Sequence, residues 1–275
     1  MNENVKILCC YYKQNDFVPE SNIYFPIQCG VDVTHLDLGL SGDNTGDNIS
    51  SRNSYWSEIT GLYWAWKNMK PVDYMGLCSY RRFFNYQTGF FTPITTIIPK
   101  RDYPKINSIS IPDITSILSK YDIIVPQKYY YAYSLRNVLR MNYYWEDFEV
   151  LQTIIHEKSP DYDEAFHELL WENNYVYGHN MFIMPWGKYN DYCEWVFDIL
   201  LEAERRIDPK DYPIDKIRVF GYMHEVLFTL YVFKNRLSTY ESQLTWVTDD
   251  IKKFSFNDWK YKAACKLSFF INKPR

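Results

Sequence analysis

The chain of 275 residues lacks the sequence patterns that mark several common enzyme classes. Neither GxGxxG after the first predicted strand nor GxxxxGK(S/T) is present, which disfavours a dinucleotide-binding oxidoreductase and a P-loop NTPase. The zinc-protease pattern HExxH and the hydrolase pattern GxSxG are also missing. The five histidines, at positions 35, 156, 167, 179 and 224, show no spacing typical of metal ligands. No metal site is therefore predicted.

Long apolar runs and paired cysteines are also missing. Without a run of about 18 uncharged apolar residues, no transmembrane helix is predicted, and residues 1–12 do not resemble a secretory signal. The six cysteines, at 9, 10, 29, 78, 193 and 265, form no CxxC pair, which favours reduced thiols in a cytoplasmic protein. The net charge of −4 and the pI of about 5.8 argue against nucleic acid as a partner.

Aromatic residues, by contrast, are abundant. They make up 19% of the chain, and 26 of them are tyrosines. Tyrosine combines a flat apolar ring with a hydroxyl that forms hydrogen bonds, so it suits stacking against sugar rings and nucleobases. A protein–protein surface would account for the same composition equally well.

The C-terminal segment, residues 251–275, differs from the rest in charge. It contains seven basic residues and one acidic residue, together with several aromatic and aliphatic side chains. A basic, aromatic segment can lie on an anionic membrane surface. The alternative is an ordinary terminal helix packed on the domain.

The order of predicted elements indicates an α/β protein. Strands are predicted at 5–12, 30–36, 73–80, 121–125, 179–185 and 237–247, and helices at 53–68, 146–158, 162–173, 187–206 and 215–234. This alternation predicts one domain over residues 1–250 with a mixed, mostly parallel sheet flanked by helices. Ligands of such sheets bind beyond the carboxyl ends of the strands.

Two polar segments lie at predicted strand ends. The loop 42–48 includes Asp43, Asp47 and Asn48, which can hydrogen-bond a ribose, a sugar or a diphosphate, or can simply cap a surface turn. The pair Arg81–Arg82 directly follows an apolar strand. Guanidinium groups there can bind phosphate oxygens in a bidentate manner, or can form a structural ion pair.

Two further candidates are ambiguous when taken alone. The pair His179–Asn180 precedes an apolar run and is compatible with either a satisfied core pair or a site. Glu225 lies early in a predicted helix, and a single glutamate on a helix is usually solvated.

Several strings together resemble one bacterial family. These strings are GDNTGDNIS, N-x-YW-x-E-x-T-x-LYWAWKN, GLCSYRRFF, YDIIVP, NMFIMP and RVFGYMHE, in that order over about residues 5–247. Members of this family are described as capsular or exopolysaccharide synthesis proteins with a domain long called unknown in function. The family is similar to the glycosyltransferases of the GT-A fold.

The resemblance implies a nucleotide-sugar site at the carboxyl edge of the sheet. Tyr11 and Lys13 would meet the nucleotide, and Asp43, Asn48 and Arg52 would join the donor site. The sequence Tyr80-Arg81-Arg82 stands where most GT-A enzymes carry an Asp-x-Asp metal motif. The implied transfer is therefore independent of a metal, with no cofactor, and the arginines stabilise the departing diphosphate.

The resemblance also implies catalytic and acceptor residues. An inverting mechanism needs a carboxylate that deprotonates the acceptor hydroxyl; Glu225 is the first candidate for this base and Asp47 the second, while the sequence leaves inversion or retention open. His179, Asn180, Tyr129 and Tyr130 are predicted to bind the acceptor.

The chain departs from the family pattern at three places. Ser79 replaces a histidine, Val226 replaces an arginine, and residues 135–140 replace a histidine-rich stretch. Any chemical role of the family's histidine is absent from this chain, and one basic contact is lost at Val226. Residues 135–140 are expected to face the acceptor, so their replacement predicts a distinct acceptor specificity.

The predicted function is transfer of a sugar from a nucleotide donor, assigned as UDP-linked, to a lipid-linked oligosaccharide. Galactose, in pyranose or furanose form, is the sugar that the polysaccharide context suggests. The predicted location is the cytoplasmic face of the bacterial membrane, with peripheral attachment. The alternative is a non-catalytic carbohydrate-binding or scaffold protein of the same pathway. The lack of a Gly-rich, Lys-bearing phosphate loop near the first strand argues against a third class, a nucleotidyltransferase.

Overall fold

A ten-stranded mixed sheet forms the centre of the fold. The structure is a computed structural model that describes residues 4–14, 17–89, 91–249 and 258–272. The strands of this part of the chain are β1 (Val5–Tyr11), β2 (Tyr24–Gln28), β3 (Ser41–Gly42), β4 (Tyr74–Ser79), β5 (Arg82–Phe84), β6 (Thr95–Ile98), β7 (Ile123–Pro126), β8 (Tyr129–Tyr130), β9 (Tyr175–Val176), β10 (Phe182–Pro185), β11 (Thr239–Ser242) and β12 (Leu244–Val247).

The main path of the sheet runs β11-β7-β10-β4-β1-β2-β3. Neighbouring strands along it are parallel except for β10, which runs antiparallel to both β4 and β7. Strand β12 extends the sheet by pairing with β5 and β6, and β8 pairs separately with β9. The predicted α/β class, with a mixed and mostly parallel sheet in one domain, is confirmed.

Helices cover the sheet, chiefly on one face. The helices of the described residues are α1 (Asn53–Trp56), α2 (Ile59–Asn68), α3 (Ile114–Leu118), α4 (Leu135–Asn142), α5 (Trp145–Lys158), α6 (Asp163–Glu172), α7 (Trp186–Arg206), α8 (Val219–Lys234) and α9 (Asp258–Asn272). None of these described helices is both long and apolar enough to cross a membrane.

Strand β1 shows how the sheet divides the core. Its side chains alternate between two faces because the side-chain period of a strand is two. Leu8 and Cys10 join a large cluster with α2, α5, α6, α7 and α8. Ile7, Cys9 and Tyr11 join a smaller cluster on the other face, built with β5 and a 3-10 segment at 100–108. Burial on both faces explains why this strand is almost wholly apolar.

Several predicted elements differ in detail. The predicted helix 53–68 is interrupted at Ser57, where φ is 54°. Residues 30–36 contain a short 3-10 turn, Val31–Val33, instead of a strand, because the second strand forms earlier at Tyr24–Gln28. The predicted strand 237–247 is two strands, β11 and β12. His179 and Asn180 lie in the turn before β10, not within it.

The described part of the basic C-terminal segment is α9, which packs against β8. The rest of that predicted segment, residues 251–257 and 273–275, lies outside the described residues.

Candidate functional site

A cavity of about 420 Å³ opens where the parallel strands β1 and β4 end. The turns after these strands, the break between α1 and α2, the turn before β10 and the start of α8 surround it. Its lining consists of Cys10, Tyr11, Tyr12, Cys29, Asn53, Ser54, Ser57, Glu58, Ser79, Tyr80, Arg81, Arg82, His179, Asn180, Ile214, Ile217, Arg218, Gly221, Tyr222 and Glu225. Its position agrees with the ligand-binding edge expected for an open α/β sheet.

Three arginines give the cavity a cationic wall. Arg81, Arg82 and Arg218 form no ion pair with any carboxylate of the described residues. Aromatic rings flank them instead: the Arg82 guanidinium lies 4.4 Å from the Trp246 ring centre, and that of Arg218 lies 5.8 Å from the Tyr12 ring centre. The guanidinium groups are therefore available to an anionic ligand.

Some buried polar atoms at this wall have no hydrogen-bond partner within the described protein. They include Arg82 Nε and Ser79 Oγ. An unpaired buried donor is unfavourable by roughly 1–3 kcal/mol, so such atoms indicate a place where a ligand or water completes the bonding. Burial and the neighbouring Arg81 also lower the pKa of Arg82, against the opposing charges of Glu58 and Glu225.

The pKa of the Tyr12 hydroxyl reflects the positive charge of this wall. Burial by itself raises the pKa of its hydroxyl, but the hydrogen bond with Tyr80 and the charges of Arg81, Lys13 and Arg218 outweigh burial and lower the pKa overall. A phenol whose ionised form is favoured in this way marks a region that also favours a bound anion.

Glu225 projects into the same cavity from the first turns of α8. Burial of its carboxyl group is the main reason that its pKa is raised from 4.5 to about 7, and the charge of Glu58 adds to the rise. The backbone N–H of His179, which donates to Glu225 Oε1 at 2.9 Å, and the charge of Arg82 oppose it. A carboxyl group with a pKa near 7 is suited to accept a proton at neutral pH.

The loop geometry that holds Glu225 and Glu58 is unusual. Ser57, His179 and Asn180 all have positive φ angles, of 54°, 71° and 52°. None of them is glycine, so each conformation must be compensated by its surroundings, and such residues concentrate at functional sites. Asn180 Nδ2 donates to Glu58 Oε1 at 3.0 Å, which is one such compensating contact.

The structure brings seven of the predicted site residues together in the cavity wall. These are Tyr11, Tyr80, Arg81, Arg82, His179, Asn180 and Glu225. Lys13 lies at the margin, with its ammonium group 5.9 Å from the ring centres of both Tyr12 and Tyr80.

Asp43 is not part of the cavity wall, because its carboxylate stabilises a turn. It is fully buried and accepts hydrogen bonds from the backbone N–H groups of Gly30 and Val31 and from the Ser50 hydroxyl, at 2.9, 3.2 and 2.5 Å. Gly30 has a φ of 74°, and a Cβ atom there would lie 2.5 Å from the Asn53 side chain. The turn therefore depends on both glycine and the buried carboxylate.

The other predicted residues of this region also lie outside the cavity wall. Asp47 accepts a hydrogen bond from the Tyr63 hydroxyl at 3.1 Å, and Asn48 caps its own loop by accepting from the Ser50 N–H. Arg52 forms an ion pair with Glu204 at 2.6 Å. The polar groups that the sequence suggested for donor binding are thus engaged in contacts within the protein. None of these three residues lines the cavity.

The predicted acceptor residues Tyr129 and Tyr130 lie elsewhere as well. They form β8, which α9 covers: the rings of Tyr129 and Tyr261 are 6.2 Å apart, and the Lys266 ammonium lies 4.5 Å from the Tyr130 ring centre. Neither tyrosine lines the cavity.

Sequence reasoning missed several cavity residues, above all Glu58, Arg218 and Tyr222. Glu58 and Arg218 are part of the strings N-x-YW-x-E-x-T and RVFGYMHE, so a signal was present in the motifs. Their neighbours in space come from other parts of the sequence, so the motifs did not show that these residues line a cavity. Across the described ranges 4–14, 17–89, 91–249 and 258–272, no group of three or more His, Cys, Asp or Glu residues is arranged to hold a metal.

The sequence profile of one protein family covers most of the chain. The profile described as "Domain of unknown function (DUF4422)" matches residues 6–236. The chain belongs to the DUF4422 family. A search of curated proteins found no match.

The fold of this DUF4422 chain is also similar to a solved structure, that of the WbbM bifunctional glycosyltransferase in its apo form. The TM-score is 0.80 and the sequence identity 29%, over 90% of this chain and 46% of that chain. The DUF4422 chain thus spans less than half of the length of the protein it resembles. The fold is accordingly similar to that of part of a glycosyltransferase.

Proposed function

We propose that this DUF4422 chain is a glycosyltransferase that uses a nucleotide-sugar donor. The observation that carries the proposal is the cavity in which Arg81, Arg82 and Arg218 face Glu225. Glycosyl transfer with inversion needs a positively charged group for the departing diphosphate and a base for the acceptor hydroxyl. The similarity to a glycosyltransferase of 29% identity supports the same activity.

The diphosphate of the donor would bind to the arginine wall. Arg82 Nε has no hydrogen-bond partner within the described protein, and the three guanidinium groups can each donate to phosphate oxygens. We propose that these arginines neutralise the leaving group without a metal ion, and that the donor is a UDP-sugar, with galactose as the first sugar to test. Tyr12, which is 40% exposed just after β1, is proposed to meet the nucleoside; the Tyr11 ring is only 1% exposed and its hydroxyl donates to the Phe17 carbonyl oxygen.

The base would be Glu225. Its carboxylate accepts the proton of the acceptor hydroxyl as the acceptor oxygen forms a bond to the anomeric carbon of the donor sugar. The bond from that carbon to the diphosphate oxygen breaks, and its electron pair leaves with the nucleoside diphosphate. The raised pKa of about 7 makes this carboxylate a stronger base than an exposed glutamate.

The acceptor is proposed to be a lipid-linked oligosaccharide of capsular or exopolysaccharide synthesis, reached at the cytoplasmic face of the bacterial membrane. Helix α9 supports peripheral attachment there. Leu267, Phe270 and Ile271 are 60%, 80% and 69% exposed, whereas Cys265 on the opposite side is 4% exposed. With the basic side chain of Lys266 beside it, this surface suits an anionic lipid interface.

The test is a thermal-shift screen of UDP, GDP, CMP and dTDP and their sugars, with Arg82→Gln and the exposed Arg140→Gln as a matched pair. A donor at 100 times its Kd stabilises the native state by about 2.7 kcal/mol, or roughly 5–10 °C for a domain of this size. We expect this rise for wild type and Arg140→Gln and its loss in Arg82→Gln. An oligosaccharide that raises the melting temperature when no nucleotide does would contradict the proposal and indicate a carbohydrate-binding protein.

A further inference from the structure

A buried hydrogen-bonded chain leads from the interior to the cavity. The Tyr192 hydroxyl lies 2.9 Å from His224 Nε2, His224 Nδ1 lies 2.7 Å from Asn180 Oδ1, and Asn180 Nδ2 lies 3.0 Å from Glu58 Oε1. Tyr192 and His224 are fully buried, and Asn180 is 3% exposed. Asn180 and Glu58 both line the cavity, and Glu58, the last member, is the more exposed of the two.

The acceptors around Asn180 fix the orientation of its amide. Its NH₂ group has Glu58 Oε1 on one side and the Gly221 carbonyl oxygen, at 3.4 Å, on the other. A carbonyl oxygen can only accept, and so can an ionised carboxylate, so the nitrogen of the amide must face them. The Oδ1 atom of Asn180 is then left to accept a hydrogen bond from His224.

This orientation determines the tautomer of His224. Burial lowers the pKa of His224 to about 3, so the imidazole is neutral and carries one proton. That proton must be on Nδ1, because Nδ1 donates to Asn180 Oδ1. Nε2 therefore accepts from the Tyr192 hydroxyl, so each of the three contacts joins one donor to one acceptor.

The same turn holds both carboxylates of the cavity. The backbone N–H of His179 donates to Glu225, while the side chain of the next residue, Asn180, donates to Glu58. The positive φ angles of both residues direct these two donors. The two carboxylates are close enough for the charge of Glu58 to raise the pKa of Glu225. They thus form a pair with different hydrogen-bond partners, which is typical of groups with different roles.

We propose that Glu58 is a second functional carboxylate, which contacts the donor sugar, and that Tyr192, His224 and Asn180 are positioning residues that hold it there. This inference rests on the proposed glycosyl transfer. As the bond from the anomeric carbon to the diphosphate breaks, positive charge develops on the sugar, and the fixed negative charge of Glu58 stabilises it. Glu58 neither gains nor loses a proton, since the proton of the acceptor hydroxyl goes to Glu225.

The first experiment needs no enzymatic activity. ¹⁵N NMR of the full chain should find the His224 proton on Nδ1, and ¹³C NMR should find a lower Glu225 pKa in Glu58→Gln than in wild type. A proton on Nε2 would reverse the amide of Asn180 and overturn the positioning chain. An unchanged Glu225 pKa would show that the two carboxylates do not interact, and would overturn the proposed pair.

The second experiment measures transfer and nucleotide binding together. In Glu58→Gln we expect the thermal shift with UDP to remain and kcat to fall about 100-fold, as for loss of one preorganised electrostatic contact. A retained kcat, or a lost UDP shift, would overturn the proposed role of Glu58. If wild type transfers no sugar from any donor, the proposed function fails, and the NMR results alone judge the hydrogen-bonded chain.

The positioning role has a matched control on the same helix. Tyr192→Phe removes the hydroxyl that donates to His224, whereas Tyr189→Phe removes a hydroxyl that is equally buried and donates to the Leu62 carbonyl oxygen at 3.2 Å. We expect similar losses of stability, but a fall in kcat of about tenfold, at unchanged KM for the donor, in Tyr192→Phe only. Equal kcat values for the two variants would show that the hydrogen-bonded residues have only a structural role, and would contradict the inference.

Discussion

Replacement of Glu225 by glutamine should remove activity and, at the same time, change the pH dependence of stability. The variant keeps an oxygen that can accept the N–H of His179, the contact measured at 2.9 Å. It loses only the group that ionises. We therefore expect a correctly folded protein with kcat lowered at least 100-fold, in the range typical for loss of a general base. Wild-type kcat/KM should fall about tenfold between its plateau and pH 6, because a base with a pKa of about 7 is about 10% ionised there.

The stability change follows from the same pKa. Its rise from 4.5 to about 7 corresponds to about 3 kcal/mol, at about 1.4 kcal/mol for each pH unit. The folded state binds the Glu225 proton more tightly than the unfolded state, so this contribution favours the folded wild type below pH 4.5 and is lost as the pH rises to 7. Glu225→Gln has no such loss. It should be more stable than wild type by up to about 3 kcal/mol at pH 8, and by less than about 1 kcal/mol at pH 5.

Chemical denaturation at pH 5 and pH 8 measures this difference, and initial rates from pH 5.5 to 8.5 measure the activity. Glu164→Gln, on the exposed side of α6, is the matched control and should change neither property. A Glu225→Gln variant that keeps most of the wild-type kcat would refute the assignment of the base. A stability difference that is the same at both pH values would refute the argument from burial.

Three other perturbations test separate parts of the structure. Chelation by EDTA, or addition of Mn²⁺, should leave both transfer and the nucleotide-induced thermal shift unchanged within about twofold, because arginines would neutralise the diphosphate; loss with EDTA and recovery with Mn²⁺ would show a metal requirement. Phe270→Glu on α9 should weaken sedimentation with phosphatidylglycerol vesicles at least fivefold, while Met141→Glu on α4 should not; equal binding would remove α9 from the membrane contact. Asp43→Ala should lower the free energy of unfolding by about 3 kcal/mol, since it leaves buried donors unpaired, whereas Asp47→Ala should lower it by about 1 kcal/mol or less; the reverse order in urea denaturation would contradict the structural role of Asp43.

The class of fold and the arginine pair of the site could be predicted from the sequence because their signals are local. Apolar runs that alternate with amphipathic helices along the sequence indicate a mostly parallel sheet, without any knowledge of the tertiary contacts. Arg81 and Arg82 directly follow such a run, so a position at the carboxyl end of β4 follows from the sequence alone. The resemblance to a known family added Glu225, whose sequence neighbourhood by itself suggested only an ordinary helix.

The loop 42–48 shows where local reasoning is insufficient. Aspartate and asparagine have the same appearance in a sequence whether they cap a turn or bind a ligand, since both uses depend on the same oxygen and nitrogen atoms. Asp43 accepts from the N–H groups of Gly30 and Val31, and Arg52 pairs with Glu204, which is 152 residues away. Only the tertiary structure shows that these groups already have hydrogen-bond or ion-pair partners within the protein.

The tertiary structure decided which polar residues face one another, and hence which are free to act. Glu58 reaches the cavity because α1 ends at Trp56 and the backbone turns at Ser57, and its partner Asn180 is 122 residues away in the sequence. Burial of Glu225 between α8 and the turn at His179 raises its pKa, an effect of desolvation that a sequence does not contain. The residue types and the alternation of strands and helices along the sequence could be recognised from the sequence itself, because they depend on neighbours in sequence. Protonation, hydrogen-bond partners and unpaired donors depend on neighbours in space, and only folding brings those together.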